Sequence, residues 1–508
     1  MKKIIFVALS ALATLFVSCN MEKYPYTGIP EDQYVQNIDD AINMSVSIYT
    51  PTKGFFGGFR WDVEEIRGGM FNATVNFGNY YGLFYAWIMQ TNDSDVEALW
   101  YSDYSIIGSV NYIIDSYTRL LETNEDLEDD DKKLLEQYIA EAHMTRAIAY
   151  WDLVTKYCLA YDPATAANTL GLPLQLEYAP TSDSSKYPGR NTLEETYAQI
   201  LADLEKASAI TREGSRNANY WTADAVNAMR ARVYLNMKDY ENAGTIAQQL
   251  INKGTYQLVQ NEAEMQAMWF SDTSNENIFV PAVSLLDPPT STGNYFIYDN
   301  EKGDGSTPNP QYIPSKTLLD LYGATADEKA KDLRYGAYFQ VRDVTVEGVG
   351  TRPLTLFWKW AGNPELRSGA QLNYRSAGKA FRLAEQYLIA AEAAAQLGNP
   401  TTALKYLNDL RRTRIADYTD LPAATDAMKA VKEEWSREFV GEGFRMINMK
   451  RWSDAIVRGE SQDSEMTKPG DNYDGLTKQI TDSRCIWPIP KTEIDANPQI
   501  KGQQNPLY

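Results

Sequence analysis

The stretch "AMRARVYLNMKDYENAGTIAQQLI" (228–251) has a second version 160 residues further on, "IAAEAAAQLGNPTTALKYLNDLR" (389–411). Ala231 matches Ala391, the turn Lys238-Asp239-Tyr240 matches Gly398-Asn399-Pro400, and Ala243 matches Ala403. A repeat of this kind leaves few choices of fold. On both sides of the turn, apolar residues recur at three- and four-residue spacing, the period of an amphipathic helix. Small residues at the matched positions let two helices approach closely across the turn. Hairpins of this sort bury their apolar faces only by stacking on neighbours.

With Ala231, Tyr234 and Ala243 at its small, aromatic and small positions, the pattern is that of a tetratricopeptide unit. "EAHMTRAIAYWDLVTKY" followed by "TLEETYAQILADLEKASAI" makes a looser third pair, so helix pairs are expected near 132–211, 221–253 and 381–416. From about Asp93, "DVEALWYSDYSIIGSVNYIIDSYTRLL" has the same helical period. The acidic run "NEDLEDDD" that follows it reads as a solvated loop whose carboxylates favour the next helix N-terminus. Calcium is the other reading of that run, but no EF-hand spacing supports it. The expected fold class is mostly α: one domain over 37–508, built from tetratricopeptide-like helix pairs, with long irregular loops and a few short strands.

Two segments break the helical pattern. Residues 53–87 hold eleven aromatic residues, interleaved with glycines and asparagines, and residues 284–314 are rich in Pro, Gly, Asp and Tyr. Loops this long in a compact domain are usually functional or disordered. Glycines beside the rings let them project from loops, so Trp61, Tyr80, Tyr81, Tyr85, Trp87, Tyr295 and Tyr298 are expected on a ligand face. Arg60 and Asn79 are its polar groups. The competing reading puts such rings in the core, because aromatics dominate packing. A third irregular part, 341–378, contains "LTLFWKWAGN", whose alternation suggests a short strand pair.

At the N-terminus, Lys2 and Lys3 precede an apolar run from Ile4 to Val17 that ends at Ser18-Cys19. The run is shorter than the roughly 20 residues a membrane-spanning helix needs, and it has the proportions of a signal peptide. Ser18 before Cys19 resembles a bacterial lipobox, although Phe16 stands where Leu is usual. Residues 1–18 are therefore expected to be removed, leaving a lipidated Cys19 and an extended tether over 19–36 that anchors the chain without spanning the membrane. The other reading is a plain signal peptide with an incidental cysteine. The formal charge is −20, and −22 without Lys2 and Lys3. Nucleic-acid binding needs a basic face and is not expected. Besides Cys19, only Cys158 and Cys485 remain, which is no disulfide framework.

Catalytic chemistry finds little to stand on. His143 is the only histidine and lies in a helical pattern, and the phosphate-loop motifs are absent. No metal or cofactor is expected. Carboxylate pairs suited to glycoside hydrolysis depend on three-dimensional separation, and nothing in the sequence singles one out. "EEWSREFVGEGFRMINMKRW" places Glu434, Glu438 and Glu442 on one helix face, with Arg445 and Arg451 beyond a turn at Gly443. This reads as a structural charge network, since arginine satisfies carboxylates bidentately where elements pack.

These residues resemble the SusD/RagB family of outer-membrane nutrient-binding lipoproteins. The likeness is carried by "FRLAEQYLIAAEAAAQLG", by Glu434, Glu438, Glu442-Gly443, Arg445 and Arg451-Trp452, and by "WPIPKTEIDANPQI". Earlier, "AEAHMTRAIAYWDLVTKY", "YPGRNTLEETYAQILADL" and "NENIF" add to it. Trp435 stands where an arginine is common and Asn448 where an aspartate is common, which puts local ion pairing in question. The resemblance implies a non-catalytic glycan-binding lipoprotein, lipid-anchored in the outer membrane and facing outward. It also implies a partner, a SusC-like TonB-dependent β-barrel transporter over which the lipoprotein sits as a lid. Other members handle peptides, and a scaffold that binds only protein, or a surface hydrolase, are the competing classes.

Overall fold

The structure is a computed structural model that describes residues 34–299, 301–467 and 477–508. The signal segment 1–18, Cys19 and the tether up to residue 33 lie outside the described residues. Eight helices form the scaffold: α1 (Ser94–Thr123), α2 (Asp129–Tyr157), α3 (Leu193–Ala207), α4 (Ala223–Asn236), α5 (Tyr240–Lys253), α6 (Leu383–Gln396), α7 (Pro400–Arg412) and α8 (Ala427–Glu438). Each packs on the next, and α5 packs directly on α6 although 129 residues separate them in the chain (253 to 383). The two copies of the repeat therefore stack against each other. This is the expected tetratricopeptide-like fold.

The matched positions do the same work in both copies. Lys238 and Gly398 both take left-handed backbone conformations, with φ of 62° and 75°. Asp239 and Asn399 both cap the following helix, each accepting from the amide three residues on. Ala231, Ala243, Ala391 and Ala403 are all fully buried. Gly244 shows how close α5 and α6 come, since a Cβ there would sit 3.2 Å from that of Ala393. The looser pair, α2 and α3, is tied by Arg146, which donates to Asp203 at 2.6 and 3.0 Å. His143 meets the same carboxylate at 2.8 Å, a packed helix residue. Asp129, Asp130 and Asp131 occupy the first turn of α2, as expected of the acidic run.

The strands are minor. Among the described residues they form five two-stranded antiparallel sheets, the largest a hairpin of Phe339–Val346 with Gly350–Phe357. Cys158 and Cys485 are both buried and free. Among the described residues, no helix is long and apolar enough to cross a membrane.

Glu434, Glu438 and Glu442 lie in the core, fully desolvated, but their partners are not the expected ones. Glu438 accepts from Arg334, Arg382 and Arg414 at 3.0, 2.8 and 3.1 Å. Glu434 accepts from Arg334 at 2.6 Å and Arg437 at 2.7 Å, with Arg411 beside it. Glu442 pairs with Lys359 at 2.7 Å and Arg382 at 2.8 Å. Arg382 and Arg414 also reach Glu276 in "NENIF". Arg445 instead donates to the Gly68 carbonyl at 3.1 Å and Ser436 at 3.0 Å, pinning the glycine turn after the helix Phe59–Arg67. Arg451 forms a bidentate pair with Glu392 of α6, both bonds 2.8 Å. The i, i+4, i+8 row was a sound sign of a network, although α8 ends at Glu438 and Glu442 lies in the turn beyond it. Apart from Arg437, three residues from Glu434, the partners come from 23 to 104 residues away in the chain and are chosen by packing. Trp435 takes no ion pair and packs on Phe439 and Phe444.

Candidate ligand face

The segment 53–87 folds into a short helix, Phe59–Arg67, followed by a strand and tight turns. From Trp61 to Arg67 every residue of that helix is buried. Its carboxylates act as staples. Asp62 accepts from the Gly293 amide at 3.1 Å, Glu64 from Trp487 at 2.9 Å, and Glu65 from the Gly443 amide at 3.0 Å. Asp62 thereby joins this segment to 284–314. Further links follow the same route: Gly58 to Thr292 at 2.7 Å, Thr74 to the Pro310 carbonyl at 2.7 Å, and strand Phe71–Ala73 against Tyr312–Pro314. The two irregular segments, 197 residues apart at nearest (87 to 284), thus form one unit.

Where they meet, some of the expected residues come together and others do not. Tyr80 is 48% exposed, and its ring lies 5.4 Å from that of Tyr295. Tyr81 stands edge-on to Tyr295 at 4.7 Å, which brings the two phenols into one cluster. Burial, and then the neighbouring Tyr295 hydroxyl, pushes the Tyr81 hydroxyl well above the ordinary phenol range. Asn79 is exposed beside them, and Tyr298 is half-buried on the second segment. Asn76 and Asn309, absent from the expected set, bridge the segments amide to amide at 3.1 Å. Their place inside the two Asn- and Gly-rich stretches was the only signal for them.

Four of the nine expected residues face inward. Trp87 is 2% exposed, donates through Nε1 to the Arg67 carbonyl at 3.2 Å and packs with Met446 and Met449. Tyr85 is 1% exposed and lies under the Arg458 guanidinium at 3.5 Å. Trp61 packs on Trp360 at 5.7 Å. Arg60 is held by Asp103 at 2.6 Å and by Asp152, and its side chain is 11% exposed at the wall of a small hollow that Trp61 also lines. These four are corrected to core and scaffold roles. Rings next to one another in sequence split between core and surface because the chain reverses there. Asn79, Tyr81, Trp87 and Tyr298 all have positive φ, four of the eleven such non-glycine residues described. Strained backbone of this kind concentrates at ligand clamps and active sites.

Burial also sets a pH response. It pushes the Asp62 carboxyl up to about 8 and that of Glu65 to about 7. Burial alone would raise Glu438 too, but Arg414, Arg382 and Arg334 hold it well below the usual carboxylate range. The signs are opposite. Asp62 and Glu65 keep protons in the folded chain that the unfolded chain releases, so stability falls as pH rises from about 4 to 8. Glu438 does the reverse, and its contribution is lost as pH falls below about 4. Denaturation midpoints measured from pH 3 to 9 are therefore expected to peak in the mildly acidic range.

Among the described residues, no group of three or more His, Cys, Asp or Glu side chains is arranged to hold a metal ion. What the geometry offers is a cluster of rings and amides on a rigid frame.

Comparison with known proteins matches both halves of the chain. Residues 359–508 match the family model described as the SusD family, and residues 67–235 match one described as starch-binding associating with outer membrane. SusD-like protein P2 of Formosa agariphila is 24% identical over an alignment of 557 positions, covering 100% of this chain and 99% of that protein. SusD-like protein P38 of the same organism is 22% identical over 416 residues, covering 73% and 74%. Among solved structures, a SusD superfamily protein from Bacteroides thetaiotaomicron superposes with a TM-score of 0.76 at 25% identity, over 93% of this chain and all of that one. Surface glycan-binding protein A from Bacteroides fluxus gives a TM-score of 0.66 at 19% identity, over 93% and 99%.

Proposed function

Because the chain belongs to the SusD/RagB family, we propose that it is a non-catalytic surface lipoprotein of the outer membrane that captures oligo- or polysaccharide. It then delivers the glycan to a SusC-like TonB-dependent transporter. The observation that carries this reading is the exposed Tyr80, grouped with Tyr81 and Tyr295 where two distant segments meet. Sugar rings present C–H faces that pack on aromatic rings, while amides such as those of Asn76, Asn79 and Asn309 bond their hydroxyls. The stretch matched by the starch-binding description includes Asn79, Tyr80 and Tyr81. Calorimetric titration against matched panels of polysaccharides and peptides tests the ligand class. Saturable binding of a glycan with no peptide bound is the expected result, and selective peptide binding would overturn it.

The lidlike role needs a tether, and Cys19 is the residue placed to supply it. Cys19→Ala is expected to yield a folded protein that no longer fractionates with membranes. Metabolic labelling with a fatty-acid analogue checks this, and an unlabelled parent protein would refute the lipid anchor.

A further inference from the structure

The outer face of α1 carries a second tyrosine-lined groove, on elements other than those of the cluster described above. Two hollows, of about 490 and 430 Å³, meet across Gly108 and Tyr178. Each alone is of the size usual for a small-molecule site.

One wall is held in place from beneath. Asn111 donates to the carbonyls of Gln175 and Glu177 at 3.0 and 3.2 Å, Arg146 to that of Leu176 at 3.0 Å, and Tyr150 to that of Gln175 at 2.8 Å. All three of these side chains are buried, and the Tyr178 amide is fixed in turn by Asp115 at 2.8 Å. The wall is thus formed before any ligand arrives, which lowers the cost of binding.

The floor includes Gly108, in the middle of a 30-residue helix. Glycine is among the poorest helix formers. A Cβ at this position would meet nothing within 4 Å, so packing inside the chain does not call for glycine there. The bare backbone leaves room for a group from outside. Tyr34, Tyr112, Tyr178 and Tyr187 contribute rings and hydroxyls, and Ser105 and Ser109 add more hydroxyls. The charged side chains on the lining are one glutamate, Glu177, and one lysine, Lys186, which favours no ion of either sign.

We propose that this groove is a second binding site for a neutral glycan chain, so that one polysaccharide is held at two points. Val96, next to Asp95 in the first turn of α1, accepts from Tyr157, whose ring meets Trp487, and Trp487 packs on Phe84 beside Tyr81. Gly108 is thirteen residues beyond Asp95 (95 to 108), about 20 Å at 1.5 Å per residue. A long chain reaches both places, whereas a short fragment fills one at a time. Attachment at two points raises affinity without any new contact at either. The inference rests on the glycan reading for the class of ligand.

The test compares Gly108→Glu and its uncharged counterpart Gly108→Gln with Tyr80→Ala by calorimetry. The probes are soluble starch, xylan, mannan and arabinan, each as polymer and as short fragments, with melting curves confirming that the variants fold. Two fragments per chain are expected in the parent and one in each variant, and the polymer affinity should fall at least about tenfold in each. If Tyr80→Ala weakens binding while both Gly108 variants bind like the parent, the second site is refuted and the glycan reading stands. If the parent binds none of the four, both readings fall.

Discussion

Glu438→Gln is expected to lower folding stability by about 3–5 kcal/mol, the usual cost of removing one partner from a buried charge pair. The variant keeps the shape of the side chain and removes its charge. Arg334, Arg382 and Arg414, all within 3.1 Å of that carboxylate, are then left short of their common counter-charge in the core. Guanidinium groups do not lose their protons to relieve this. The contrast is Asp420→Asn, which removes an exposed partner of Arg412 and should cost less than about 1 kcal/mol. Chemical denaturation of both variants measures the difference. Glycan binding by the folded fraction of Glu438→Gln should match the parent, because the network is fully buried whereas Tyr80 is exposed.

Trp87→Ala should be about as damaging, at roughly 3–5 kcal/mol for a large core ring. The side chain fills a space between Met446, Met449, Ile456 and Cys485, and its Nε1–H satisfies a backbone carbonyl. Truncation leaves a cavity and an unpaired acceptor together. Urea titration reads this directly. A Trp87→Ala protein that melted like its parent and bound ligand poorly would return Trp87 to the ligand face.

The helical scaffold was readable from sequence because its signals are local. Periodicity, the alanines at matched positions and the capping residues Asp239 and Asn399 all act within a few residues of themselves. The charge network was readable only by half. Carboxylates at four-residue spacing announce burial with partners, but Arg334, Arg382 and Arg414 come from elements whose approach is a tertiary matter. The aromatic segments lie between these cases. Density of rings identified 53–87, and richness in Pro, Gly, Asp and Tyr identified 284–314, which the fold does join to it, yet nothing local separated Tyr80 from Tyr85. Five residues apart, one ring is exposed and the other is covered by Arg458. The left-handed turn at Tyr81, φ 52°, turns the chain between them, and an L-residue gives little sign of adopting it.

The account rests most heavily on the ring cluster being the place where ligand is held. Tyr80→Ala and Tyr295→Ala, each titrated with a bound glycan and each melted in parallel, test that claim most directly. Loss of binding by about 1–2 kcal/mol or more, as at other interface anchors, with the Tyr80→Ala melting curve unchanged, is the predicted result. Unchanged affinity in both variants, alongside the parent's saturable binding, would place the ligand elsewhere on the molecule and contradict the account.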